Sequence, residues 1–342
     1  MDGTRELRIG FIGCGHAAGI HMDRFLALDG VRVVGCADAD RHAAQALADR
    51  ATAVGLGMIG DRRVETAVPV FTGHAALIHE TAPDAIAVFT PHLAHYRPTM
   101  DALQAGCHVF VEKPLSTSAQ EAADIVGLAQ GRKRLVGVGH QYRLLPSLIA
   151  ARARLAEGTI GALRLVSATL AQPWLEGHGG AENSWRFDPK IAGGGLLADA
   201  GDHLLDALLW STGRVAVEVA AVQSRLDSGL DVVTAAAIQL SGGVLATVAL
   251  SGISPDSLFE MTFFGELGRL HLTDRTLVET IGRSPPAEVG LPEPGESIDA
   301  NFVAAIAGNG PLCCPADEAL DAVRLLDAIG RSAATGQVVR PT

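Results

Sequence analysis

The chain has 342 residues, more than one hydrophobic core usually holds, so two domains are expected. A formal net charge of -11 and an aromatic share of only 4% exclude the basic footprint and the stacking platform of a nucleic-acid binder. Five cysteines without a CxxC spacing argue against a disulfide framework or a thiolate zinc site and for reduced thiols. The opening segment lacks the apolar core of a signal peptide, and no run approaches the ~20 apolar residues of a membrane span. A cytoplasmic protein without membrane or nucleic-acid partners is expected.

Leu7 to Ile12 reads as a short buried strand closed by glycine. Gly13-Cys14-Gly15-His16-Ala17-Ala18 follows, a G-x-G-x-x-A pattern that opens a helical stretch. Gly13 and Gly15 permit a tight turn and close approach of a pyrophosphate, small Ala18 lets the helix pack on the strand, and the helix N-terminus offers N–H donors. Val31 to Ala37 is the next strand and ends at Asp38, near the ~20-residue offset of a ribose-binding acid. Asp38 can equally cap the Ala-rich helix that follows, and the two roles are compatible. The excursion at 52–72 has no assignable role.

Ala85 to Phe89 is another buried strand, ended by Thr90-Pro91, and a helix is expected from Thr90 through Gln104. His108 to Val111 then delivers Glu112-Lys113-Pro114. Ligands of an open parallel sheet bind outside the carboxyl ends of its strands, so Gly13, Thr90 and Lys113 converge on one edge. That convergence makes Lys113 a site candidate rather than a surface lysine. Leu135 to Gly139 is a last strand of this kind.

Beyond Leu163 the texture changes to β-rich runs at 163–171, 215–224, 231–240, 243–251, 258–264 and 268–272, with Ser-Gly-Gly at 241–243 as a hairpin signal. The reading is an α/β protein with an N-terminal Rossmann dinucleotide-binding domain at 1–136. An α+β domain with a predominantly antiparallel, open-faced sheet follows at 137–342, its tail forming two helices after Ile298. Within it, Asp199 and His203 are four apart on a helix, where a carboxylate can orient an imidazole and raise its basicity. They can also be a cap and a satisfied half-buried histidine. The histidine pairs 16/21, 74/79 and 92/95 lack the company of a metal site and read as helix-face and turn residues.

Taken together, GFIGCGHAAGIH at 10–21, CADAD at 36–40, VFTPHLAH at 88–95, ALQAGCHVFVEKPLS at 102–116, GHQYRLLPS at 139–147 and WRFDPKIAGGGLLADAGDHLLD at 185–206 resemble the Gfo/Idh/MocA family, typified by glucose–fructose oxidoreductase and inositol dehydrogenase. The resemblance implies a nicotinamide cofactor and an oligomer, dimer or tetramer, built through the flat face of the second sheet. It implies catalytic roles for Lys113, Asp199 and His203. It places His16, Thr90, Pro91, His95, Glu112, Lys113 and Gln141 at the cofactor, and Arg143 at cofactor or substrate. His92 stands where the family usually has asparagine, and the 52–72 excursion is longer than usual.

The expected activity is hydride transfer between NAD and a secondary alcohol or ketone of a sugar, cyclitol or related polyol. Asp38 disfavours the 2′-phosphate of NADP. Arg143, Trp185, Arg186, Asp199, His203 and Lys113 are the expected substrate contacts, with His178 at the rim. A surface ion pair between Arg186 and Asp188 is the competing account of that loop. A redox-neutral, NAD-retaining glycosidase-like enzyme, or a sugar-sensing binder, is the alternative use of the scaffold.

Overall fold

Short apolar runs separated by amphipathic helices can bury both faces of each strand only in a parallel sheet covered on two sides. Strands β1 (Leu7–Ile12), β2 (Val31–Ala37), β3 (Val70–Phe71), β4 (Ala85–Val88), β5 (His108–Val111) and β6 (Val136–Val138) form such a sheet in the order β3-β2-β1-β4-β5-β6, every pair parallel. Between them run α1 (His16–Leu26), α2 (Arg41–Gly55), α3 (His74–Thr81), α4 (Tyr96–Gln104) and α5 (Ala119–Arg132). This is the Rossmann strand order. The computed structural model describes residues 6–55, 67–177 and 184–342. Most of the 52–72 excursion, and His178, lie outside the described residues.

The chain divides into two units. One comprises Met1–Leu115, Ala123–Gly139 and Glu296–Ala316; the other comprises Ser116–Ala122, His140–Gly295 and Asp317–Thr342. The expectation of a single cut after 136 therefore meets a different division, because the segment around Ile298–Ile306 belongs with the parallel sheet. The reason is aromatic packing: Phe302 sits 5.7 Å from Phe110 and 6.4 Å from Phe25, ring to ring, and is almost wholly buried. Val138 N–H also donates to Cys314 O at 2.9 Å.

In the second unit α6 (Pro146–Ala156) precedes β7 (Leu163–Ala171), and two short helices, α7 (Trp174–Gly177) and α8 (Pro189–Ala192), lead to α9 (Asp202–Thr212). Then come β8 (Ala216–Arg225), β9 (Asp231–Leu240), β10 (Leu245–Ser251), β11 (Leu258–Gly265), β12 (Gly268–Thr273), β13 (Leu277–Ile281) and β14 (Ala287–Glu288). The sheet order is β14-β13-β12-β11-β7-β10-β9-β8, antiparallel except for the β7–β10 pair. Alternation along β9 sends Ala236, Ile238 and Leu240 inward and leaves Ala235, Ala237 and Gln239 exposed. The inner face is covered by helical residues that include Leu204 and Leu208 of α9. The tail supplies α10 (Ile298–Ile306) to the first unit and, from Asp317 on, α11 (Ala316–Thr335) to the second.

Gly193-Gly194-Gly195 is a packing device. A Cβ on Gly195 would fall 2.1 Å from Asp231 O, and one on Gly194 would fall 2.6 Å from the Ala198 Cβ. The Asp231 carboxylate accepts from Gly195 N–H at 3.0 Å and Leu197 N–H at 2.7 Å. It thereby satisfies donors that the start of the following helical turn leaves unpaired.

Candidate active site

At the carboxyl edge of the parallel sheet the strand exits are tied side by side. Gly13 N–H donates to Ala37 O at 2.8 Å, Phe89 N–H to Ile12 O at 2.7 Å, Glu112 N–H to Val88 O at 2.9 Å and Gly139 N–H to Val111 O at 2.9 Å. The glycine turn, Asp38, Thr90-Pro91 and Glu112-Lys113 therefore share one edge of one unit. Gly13 adopts φ +84°, and a Cβ there would lie 2.5 Å from the Phe89 carbonyl carbon. The neighbouring strand exit alone demands this glycine.

Gly15 is different. It sits at the N-cap of α1 with φ -79°, and an added Cβ would meet nothing within 4 Å. No protein contact accounts for its missing side chain, whereas a phosphate approaching the backbone does. Ala18 is fully buried against the sheet, and His16 is the exposed first residue of α1. Asp38 braces this turn: Oδ2 accepts from Cys14 N–H at 2.7 Å and Oδ1 from Asp40 N–H at 2.8 Å. Each oxygen keeps a second acceptor site, so the carboxylate can brace the turn and still take ribose hydroxyls. These residues fit a dinucleotide.

His95 is wholly buried, with Nδ1 2.7 Å from Pro114 O and Nε2 2.8 Å from Thr90 O. Burial holds its pKa below the ordinary histidine range against the raising effect of both carbonyls. The ring thus links the β4 exit to the Lys113-Pro114 turn, whose peptide bond is cis. His95 thus braces two turns of the edge at which cofactor contact is expected of it. The expected helix from Thr90 resolves into a single turn at His92–Ala94 followed by α4, as the Pro91 ring disfavours α geometry at Thr90.

Glu112 has a partner that sequence reading misses. His21 of α1 lies between two carboxylates, with Nδ1 2.5 Å from Asp299 Oδ1 and Nε2 3.2 Å from Glu112 Oε1. Burial opposes charge on the ring, but the Asp299 and Glu112 carboxylates outweigh it and push the pKa up to about 9. The other Glu112 oxygen accepts from Lys113 N–H at 3.0 Å. His21 was expected to be a helix-face residue. Its partner Asp299 is too distant in sequence for any spacing rule to pair them.

The second unit holds its own cluster. Asp199 lies in a π-helical turn, Leu197–Gly201, and His203 in the first turn of α9, both buried. Single π turns inside helices recur at functional sites. Asp199 Oδ2 accepts from Trp174 Nε1–H at 2.9 Å and from Arg186 Nε–H at 2.8 Å. Arg186 also stacks over Trp185 at 4.5 Å. Its carboxylate partner is thus Asp199, whereas Asp188 caps α8 by accepting from Lys190 N–H. The His203 ring lies flat on Tyr142, centroids 4.6 Å apart and planes 12° from parallel.

Arg143 is held inside the second unit. Only 3% exposed, it makes a bidentate pair with Asp206, Nε to Oδ2 at 2.9 Å and Nη2 to Oδ1 at 2.6 Å, and its Nη1 meets Glu318. Burial works against the Asp206 charge, but His140 and Arg143 hold its carboxyl below the usual range. His140 completes the network 2.6 Å from Asp202 Oδ2. Arg143, expected at cofactor or substrate, thus makes an internal ion pair with Asp206 of α9. Gln141 is exposed at the start of the adjoining turn. Among the described residues no cluster of three or more His, Cys, Asp or Glu is arranged to hold a metal. A cavity of about 650 Å³, lined by Asp84, His108 and Arg134 among others, opens at the opposite, amino-terminal edge of the parallel sheet, away from these groups.

A parallel sheet in Rossmann order, open space beside Gly15 at the start of α1 and a lysine at the carboxyl edge are together what a dinucleotide-dependent oxidoreductase scaffold requires. Comparison with known proteins agrees. Residues 7–140 match the "Oxidoreductase family, NAD-binding Rossmann fold", and residues 148–271 match the "GFO/IDH/MocA C-terminal domain". The chain belongs to the Gfo/Idh/MocA family of oxidoreductases. It is 31% identical to dTDP-3,4-didehydro-2,6-dideoxy-alpha-D-glucose 3-reductase of Streptomyces antibioticus over 78% of this chain and 82% of that protein. It is 27% identical to D-glucoside 3-dehydrogenase of Escherichia coli, a match spanning 63% of this chain and 56% of that protein. The solved levoglucosan dehydrogenase, in complex with NADH, shares the fold with a TM-score of 0.83 at 20% identity, covering 99% of this chain and 100% of that one. No helix among the described residues is long and apolar enough to cross a membrane.

Proposed function

We propose that this protein transfers hydride between NAD and a secondary alcohol or ketone of a sugar or related polyol. The observation that carries this reading is the shared sheet edge, where Gly15, Asp38 and Lys113 stand together. The named relatives are sugar dehydrogenases and reductases, so the redox-neutral alternative draws no support from them. A bound nicotinamide supplies the hydride acceptor. Gly13, Gly15 and the α1 N-terminus hold the pyrophosphate, and Asp38 takes the ribose hydroxyls. Lys113 hydrogen-bonds the reacting oxygen and stabilises its developing negative charge. His203 takes the hydroxyl proton, its ring held in plane by Tyr142, while Asp199 fixes the local electrostatics with Arg186 and Trp174.

NAD over NADP is part of the same proposal, because Asp38 repels a 2′-phosphate and exposed Arg41 only partly offsets it. Asp38→Ser should narrow the ratio of kcat/KM values for the two cofactors. It should also lower Tm, since Cys14 N–H loses its acceptor. A parent enzyme with the higher kcat/KM on NADP would contradict the assignment.

The substrate class rests on Trp185 and Arg186. The guanidinium, 27% exposed and steadied by Asp199, offers donors to ring hydroxyls or to a sugar carboxylate. The decisive experiment follows NADH formation across inositols, neutral aldoses and aldonic or uronic acids. Arg186→Ala should raise KM at least about tenfold on the responding class, as loss of a charge-assisted hydrogen bond does. Silence from every polyol and sugar would overturn the reading.

The exposed face of the second sheet carries Val222 at 70% exposure and Leu245 at 55%, with Ala235 and Ala237 between them. We assign this face to a homodimer or homotetramer contact. Light scattering should give a mass above the monomer, and Ala237→Arg should reduce it. A monomeric parent would rule the contact out.

A further inference from the structure

The Asp299–His21–Glu112 arrangement is used by nothing described so far, and it ends on the backbone of Lys113. We infer that His21 is a positioning residue: backed by Asp299, it fixes the Glu112 carboxylate, and that carboxylate fixes the Lys113 amide at the exit of β5. The inference rests on the reading of Lys113 as the group that meets the reacting oxygen.

Four observations carry it. The two Glu112 oxygens have separate duties, Oε1 toward His21 Nε2 at 3.2 Å and Oε2 toward Lys113 N–H at 3.0 Å. Turning the carboxylate away from His21 would therefore disturb the lysine amide. The carboxylate is also closely fitted, since a Cβ on Gly139 would lie 2.9 Å from Oε1. The His21 ring is wedged against Phe89 at 4.9 Å and Phe110 at 5.2 Å and is 5% exposed, so it cannot swing aside. Finally, a ring with a carboxylate at each nitrogen satisfies both only with N–H on both, as imidazolium. Glu112 and Asp299 supply two negative charges, and His21 with Arg24, 3.5 Å from Asp299 Oδ2, supplies two positive ones. Each carboxylate thus faces the His21 ring, and Arg24, 43% exposed, adds a second positive charge beside Asp299.

The sign of the pH dependence follows from these neighbours: Glu112 at the β5 exit, Asp299 on α10, and Arg24 on the same helix as His21. A pKa raised from about 6.5 to about 9 gives a stabilising contribution that is complete below the lower value and lost as pH rises through the upper one. The parent Tm should therefore decline as pH rises from about 6.5 to about 9 and level off above it, a slope that His21→Gln flattens.

The test uses the full chain with His21→Gln, Glu112→Gln and the double variant; His21→Ala is informative only if it folds. Amide hydrogen exchange is read on the segment 110–116 without cofactor, alongside NAD affinity and kcat on the substrate found by screening. Each single variant should speed exchange in that segment about tenfold and lower kcat about 10- to 100-fold, as a small misplacement of a catalytic group does. NAD affinity should stay within a few-fold in His21→Gln, and the double variant should be no worse than the worse single one. Unchanged exchange in His21→Gln, with kcat at the parent value, overturns the inference. If that happens while Lys113→Ala abolishes turnover, the catalytic reading stands and only the clamp falls. If Lys113→Ala keeps turnover, the catalytic reading falls, and exchange alone decides whether the clamp exists.

Discussion

Replacing Lys113 with alanine is expected to lower kcat by about 10²–10³-fold, the usual loss when one preorganised donor to a developing oxyanion is removed. NAD affinity should change by no more than a few-fold, because the glycine turn and Asp38 are untouched. Lys113→Arg should recover part of the rate, since it restores a cation without the compact ammonium geometry. The lysine amide bond to Glu112 survives both changes, so Tm should hold near the parent value. Turnover within a few-fold of the parent in Lys113→Ala would make the residue structural and remove the core of the proposed chemistry. Stopped-flow single turnovers, which separate hydride transfer from release, are the measurement of choice.

The second large effect is expected at His203. Removing a general base costs about 10²–10⁴-fold in rate. The comparison variant is Tyr142→Phe, which preserves the ring stacked on the imidazole and should retain most of the activity. A His203→Ala protein with turnover within a few-fold of the parent would place the base elsewhere. Loss of activity in Tyr142→Phe equal to that in His203→Ala would move the proton step to the phenol.

The parts of this molecule that can be read from sequence are those whose cause is local. A buried strand, a glycine turn, a helix and a terminal acid occur in order within the first forty residues, and each has a short-range physical reason. The boundaries of β7 and β9 are legible for the same reason, through alternation set by a half-buried sheet. What escapes is long-range partnership. Nothing in the spacing of Arg143 announces the ion pair it makes with Asp206, 63 residues on. His21 looks like a helix-face residue until Asp299, 278 residues away, turns it into a charged clamp. Strand β13 is missed because its mostly half-buried residues give no clear two-residue period, and β14 because it is only two exposed residues. The β7–β10 pairing is likewise invisible, since nothing in either strand's composition states which neighbour it takes.

The return of α10 to the parallel sheet has a consequence for how the protein is made. Domains commonly fold in turn as the chain leaves the ribosome, the N-terminal one first. Here the first unit lacks Phe302 and the Asp299 carboxylate until the segment Glu296–Ala316 has been synthesised, after nearly the whole of the second unit. The nascent dinucleotide unit must wait with the Phe25 and Phe110 rings uncovered on one side and His21 without its counter-ion. Expression of residues 1–139 alone should yield an aggregation-prone fragment. A circular permutant that begins at Glu296 and joins the native ends through a linker would deliver α10 first and remove that delay.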